Sequence, residues 1–121
     1  MKKILIVDDE WEIRDLVERT LRSDRYQILQ AENGEKAIEI ARAEKPDLII
    51  MDIMMPGSID GFEATRILKN DPKTRGNAII VLSAIGQEAE TERGSEAGAD
   101  DYFIKPFSPL ALVRKVEEVL G

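Results

Sequence analysis

The residues able to do chemistry sit at the ends of apolar runs. "ILIVDDE" ends on Asp8, Asp9 and Glu10, "DLIIMD" on Asp52, "VLSA" carries Ser83, and "YFIKP" carries Lys105. Two carboxylates about 4 Å apart repel by about 4 kcal/mol at an effective dielectric of about 20. That is a large share of the about 5–15 kcal/mol that holds a domain together. If the acids converge, a partner must compensate them. A hard divalent cation with oxygen ligands, Mg²⁺ being the usual intracellular choice, answers that need. A hydroxyl (Ser83) and an ammonium (Lys105) facing the same point suit a phosphoryl group, whose oxygens need hydrogen bonds and neutralisation. Asp52 is then both metal ligand and nucleophile, forming an acyl phosphate.

Each residue also has a plainer explanation. Asp9, with Glu12 three residues on, reads as a capping-box start for the following helix. Asp52 could open a loop ahead of "MMPG", Ser83 could form a turn, and Lys105 could be a solvated lysine. These explanations work singly, but they do not account for three aspartates and a lysine at equivalent places in separate runs.

Five apolar runs alternate with five helix-like stretches. The runs are 4–8, 26–31, 47–52, 78–84 and 101–106. The first, third and fourth are almost continuously aliphatic, as strands covered on both faces must be. Helical spacing brings together Ile13, Leu16, Val17 and Leu21 in 10–23, Ala37, Ile38 and Ala41 in 34–45, and Ala64, Ile67 and Leu68 in 61–70. The segment 109–120 has Ser108 as N-cap, Pro109 in its first turn, and Leu112, Val113, Val116 and Leu120 on one face. The segment 87–97 has almost no apolar stripe and a central Gly94, so it is expected to be a weakly anchored helix. Strict alternation predicts a doubly wound α/β fold: a five-stranded parallel sheet, flavodoxin-like order 2-1-3-4-5, with helices on both faces. In that order the ends of strands 1, 3, 4 and 5 form one rim, where such folds bind ligands.

The 121 residues read as one domain. A net charge of −7 argues against direct nucleic-acid binding. No apolar run approaches the roughly 20 residues of a membrane span, and the start "MKKILIVDD" is cut too early by its aspartates to be a signal peptide. A cytoplasmic location is expected, and the absence of cysteine is compatible with it. No histidine is present, so the chemistry rests on carboxylates, hydroxyls, lysines and backbone.

The stretches "ILIVDDE", "DLIIMDIMMPG", "DGFE", "VLSA" and "GADDYFIKPF" resemble, in order and spacing, the receiver domain of bacterial two-component response regulators (the CheY-like family) over essentially the whole chain. The resemblance implies a phosphoprotein in signal transduction or a phosphorelay. Asp52 would accept phosphate from a phosphohistidine on a sensor histidine kinase or phosphotransfer protein. Asp8 and Asp9 would be the acidic pair for Mg²⁺, with Asp52 and the backbone carbonyl of Met54 completing the protein ligands. Ser83 and Lys105 would contact the phosphoryl group, and Ser83 and Tyr102 would form the switch. The Lys105–Pro106 peptide is expected to be cis, and the side chains of Met54 and Ile85 are expected to tune the phosphoryl lifetime. Such a domain catalyses only its own phosphorylation and dephosphorylation and is not a turnover enzyme.

The sequence departs from the family in places. "DIMMPGSIDG" has one residue more between Pro56 and Gly61 than the family loop, Ser83 stands for the commoner threonine, and Ala78 for a frequent proline. Expected partners beyond the kinase are a downstream protein or a covalently linked output domain, the latter absent from residues 1–121. The expected oligomeric state is a monomer or a phosphorylation-dependent dimer. A phosphohydrolase would want an acid two residues after the nucleophile, where Met54 stands. A flavodoxin-like cofactor binder would want an anion nest where "DDEWE" stands. The remaining alternative is a pseudo-receiver that serves as an unphosphorylated interaction scaffold.

Overall fold

The structure, a computed structural model, describes residues 1–53, 55, 57, 59–84, 88–105 and 108–121, with the side chains of 84, 88–91 and 94 left aside. The expectations placed on Met54, on Ile85 and on the Lys105–Pro106 peptide lie outside the described residues.

Strands β1 (Lys2–Val7), β2 (Tyr26–Ala31), β3 (Leu48–Asp52), β4 (Ala78–Ala84) and β5 (Asp101–Lys105) alternate with helices α1 (Trp11–Leu21), α2 (Gly34–Glu44), α3 (Gly61–Asn70), α4 (Glu88–Ala97) and α5 (Pro109–Leu120). All pairings are parallel and the order is β2-β1-β3-β4-β5, as the alternation predicts.

Side chains alternate across the strands, and each row meets its own helices. Leu5, Val7, Ile49, Met51, Ile79 and Val81 pack on Ala37, Ile38 and Ala41 of α2 and on Phe62, Ala64 and Leu68 of α3. On the opposite face Ile4, Ile6, Leu48, Ile50, Ile80 and Leu82 meet Val17 and Leu21 of α1 and Leu112 and Val116 of α5. Two buried layers explain why the central strands carry no polar alternation.

Two local expectations fail. Helix α1 is not capped by Asp9. Glu10 occupies the cap position in extended backbone without a side-chain cap, and its carbonyl accepts the first helical bonds from Ile13 and Arg14. The reason is competition: the Asp8 carboxylate accepts the Glu10 N–H at 3.0 Å, which starts the helix one residue later than a cap at Asp9 requires. Leu16 is 49% exposed, because the inward stripe runs through Val17 and Leu21 and turns position 16 towards its edge. The weak anchoring of α4 holds: of its described side chains only Ala97 is buried.

Candidate functional site

The acids gather where β1 and β3 end side by side. Val7 pairs with Met51, so Asp8 and Asp52 leave the sheet as neighbours from the α1/α5 face. Asp8 and Asp52 are buried, whereas Asp9, one residue further along the turn, is exposed. One carboxylate oxygen from each of the three lies within 4.8 Å of the others. Lys105 reaches in from the end of β5, its Nζ 2.9 Å from Asp52 Oδ1 and 3.5 Å from Asp8 Oδ2. Two of the three carboxylates, Asp8 and Asp52, thus share the Lys105 ammonium.

Burial dominates the electrostatics. It raises the Asp52 carboxyl to about 6, the Lys105 hydrogen bond opposing and the charges of Asp8 and Asp9 adding to the rise. Burial likewise raises Asp8, against the Glu10 N–H and the Lys105 charge. For Lys105, burial pulls its pKa down, but the hydrogen bond and charge of Asp52, then those of Asp8, outweigh it and hold the ammonium above its ordinary value.

Ser83 stands apart. Alternation along β4 puts it in the row of Ile79 and Val81, away from the Asp52 and Lys105 row. Its Oγ is buried and has no hydrogen-bond partner among the described residues. A buried hydroxyl without a partner costs about 1–3 kcal/mol, so this oxygen is poised to gain from an acceptor brought to it. Tyr102 is 45% exposed on β5. A cavity of about 260 Å³ between α4 and β5, lined by Val81, Ser95, Ala99, Asp100, Asp101 and Tyr102, opens beside it.

The loop after Asp52 turns back onto the site. Ile53 N–H donates to Leu82 O of β4, and Gly61 N–H donates to Ile53 O. Asp60 then caps α3, its carboxylate accepting the Glu63 N–H at 2.9 Å. Three contributors escape a reading of the sequence. Gly61 permits the close return of this loop. Asp100 accepts the Ile79 N–H at 2.8 Å and pairs with Lys69, fixing the start of β4. Arg14 donates to the Asp8 carbonyl at 2.6 Å. The first Asp of "GADD" and a lone Arg on the flank of an apolar stripe are the available signals.

The donor set fits a hard cation: all three ligand candidates are carboxylates, two of them strained by burial and short of positive charge. Asp8, Asp9 and Asp52 would hold it. An all-parallel sheet in this order with an acidic cluster beyond its strand ends defines a doubly wound α/β domain with a carboxylate site in place of a glycine-rich anion nest.

Comparison with known proteins agrees. The family model described as "Response regulator receiver domain" matches residues 4–117, and the chain belongs to that family. It is 46% identical over 119 residues to the phosphate regulon transcriptional regulatory protein PhoB of Pseudomonas aeruginosa, covering 98% of this chain and 52% of that protein. It is 46% identical over 118 residues to the transcriptional regulatory protein ResD of Bacillus subtilis, covering 98% and 48%. The chain therefore spans about half the length of these curated relatives. Among solved structures, chemotaxis protein CheY4 of Vibrio cholerae superposes with a TM-score of 0.90 at 30% identity, covering 98% of each chain.

Proposed function

We propose that residues 1–121 act as one receiver unit that takes a phosphoryl group onto Asp52 in the presence of Mg²⁺ and thereby switches a protein-interaction surface. The observation that carries this reading is the cluster of Asp8, Asp9 and Asp52 with Lys105 paired to Asp8 and Asp52.

A carboxyl held near 6 is mostly ionised at neutral pH, so the Asp52 oxygen can attack phosphorus of a donor phosphohistidine. The P–N bond breaks as the O–P bond forms, and the imidazole leaves with the bonding electrons. A cation held by Asp8, Asp9 and Asp52, with the Met54 carbonyl as a further ligand, would neutralise the phosphoryl oxygens. Lys105 is already in contact with Asp52 and needs only to transfer its grip to a phosphoryl oxygen. The Ser83 hydroxyl, unpartnered and buried, gains an acceptor by moving towards that group. The cavity beside Tyr102 then offers its ring a place to turn inward, which alters the surface of α4, β5 and α5.

The donor is a sensor histidine kinase or phosphotransfer protein, and the receiver of the signal is a downstream protein or a linked output domain. The names of the half-length-matched relatives, both transcriptional regulators, favour the linked arrangement. A cytoplasmic setting suits this chemistry, and no helix among the described residues is long and apolar enough to cross a membrane. Incubation with a small-molecule phosphodonor and Mg²⁺ should add about 80 Da, and the adduct should vanish in Asp52→Asn or without Mg²⁺. An undiminished adduct in Asp52→Asn would displace the assignment, and no adduct in the parent would leave a scaffold.

A further inference from the structure

We propose that Arg14 is a positioning residue for the acidic cluster, setting the direction in which Asp9 presents its carboxylate; this rests on the metal-binding reading of that cluster. The guanidinium bridges two elements. Nη1 donates to the Asp8 carbonyl at 2.6 Å, and Nε donates to Gln30 Oε1 on β2 at 3.0 Å. Gln30 is itself held, since its Nε2 donates to Glu18 Oε1 at 2.8 Å, and Arg22 donates to the other Glu18 oxygen at 3.1 Å. A polar chain thus runs Arg22, Glu18, Gln30, Arg14 and ends on the backbone between Asp8 and Asp9.

The endpoint matters because the peptide is planar. Holding the Asp8 carbonyl fixes the plane that also contains the Asp9 nitrogen and Cα. The Asp8 N–H is already tied to Ala31 O of β2 at 3.2 Å, so Asp8 is clamped on both sides. Among the described residues Asp9 is exposed and caps no helix, so the peptide before it is the anchor from which its side chain projects. The fork of a guanidinium suits this role, because two N–H groups reach acceptors just beyond β1 and on β2 at once. A lysine ammonium on a flexible stem does not reproduce that reach.

Charge and geometry predict opposite signs. Arg14 brings a positive charge near a cation site, so by charge alone its removal should tighten Mg²⁺ binding. If Arg14 positions Asp9, its removal should weaken binding, and outer partners of metal ligands are typically worth about 10–100-fold in affinity. Arg14→Lys keeps the charge and loses the fork, so it should weaken binding at least as much as Arg14→Gln.

The experiment titrates Mg²⁺ into the unphosphorylated chain and follows backbone amide shifts of residues 8–10, at a temperature where each variant is folded. Parent and Asp9→Asn establish whether the cluster binds the ion. No saturable shift in the parent ends the metal reading itself. With saturable binding in the parent, the expectation is a dissociation constant raised about 10-fold in both Arg14→Gln and Arg14→Lys. Gln30→Leu, which frees the guanidinium at one end, should give a smaller loss, and the double variant with Arg14→Gln should be no worse than Arg14→Gln alone. Arg42→Gln, which breaks the 2.8 Å pair to Asp71 outside the cluster, controls for general loss of stability and should leave the constant unchanged. Tighter or unaltered binding in Arg14→Gln, restoration by Arg14→Lys, or additivity in the double variant would overturn the proposal.

Discussion

Gly61 lies directly against the peptide of Asp52. A Cβ at position 61 would fall against the Asp52 carbonyl oxygen and 2.7 Å from Ile53 Cα. These neighbours are backbone, which cannot rotate aside as a side chain can. Gly61→Ala is therefore expected to lower stability by about 1–3 kcal/mol through overpacking, although alanine favours helices. Denaturant unfolding checks the size. A neutral or stabilising result would mean the loop after Asp52 yields freely.

The metal-free protein should lose stability as pH rises from about 4 to about 6. Asp52 titrates near 6 in the fold, above the ordinary carboxylate value of 3.8. The native state therefore holds a proton that the unfolded chain has released, and stability falls through that window and stays low above it. A rise of about two units corresponds to about 3 kcal/mol at neutral pH. Asp52→Asn should remove this component, so the variant should melt higher than the parent at pH 7 and converge with it near pH 4. Parallel curves across the window would refute the prediction.

Lys105→Met takes away the ammonium that sits between Asp8 and Asp52. Removing one partner of a buried ionic group leaves charge uncompensated, at a typical cost of about 3–5 kcal/mol. Because Lys105 keeps about a third of its side chain in solvent, roughly 2 kcal/mol is expected here. The loss should shrink on acidification, which neutralises the carboxylates, and on adding Mg²⁺, which replaces the missing charge. A loss insensitive to both would indicate a packing effect alone.

Helix α4 is tied to α3 by Arg93, whose guanidinium lies 4.0 Å from the Phe62 ring centroid and 4.0 Å from Asp60 Oδ2. Phe62 is buried and Asp60 caps α3, so this contact links a loosely held helix to a fixed one. Arg93→Ala should cost about 0.5–1 kcal/mol. Its more telling signature should be faster amide exchange across 92–97 with the protection of β1 and β3 intact. Equal acceleration in the central strands would show that the contact supports the whole fold.

Much of this is legible in the sequence because the strongest signals are collective. Continuous aliphatic runs in β1, β3 and β4, set between amphipathic helices, allow few topologies, and the strand order follows. The same order carries Asp8, Asp52 and Lys105 to one place. What escapes depends on contacts between neighbours. Asp9 has the composition of a cap, but the Asp8 carboxylate takes the Glu10 N–H and shifts the helix start. Leu16 fits the helical stripe as a letter, yet lies at its edge in space. Arg14 acts on a backbone carbonyl, and a carbonyl leaves no mark in a sequence. Ser83 is legible as a hydroxyl at a strand end, but that the hydroxyl is buried without a partner among the described residues is visible only in the structure.

The ion pair between Lys105 and Asp8 closes a separation of 97 residues along the chain. A polypeptide emerging from the ribosome therefore exposes its two N-terminal acids, then Asp52, long before the balancing lysine has been made. Until β5 joins β4 at the sheet edge, the cluster is repulsive and incomplete. The charge balance of the cluster thus arrives only with β5, and a chain that stops short of Lys105 keeps its acids without their ammonium.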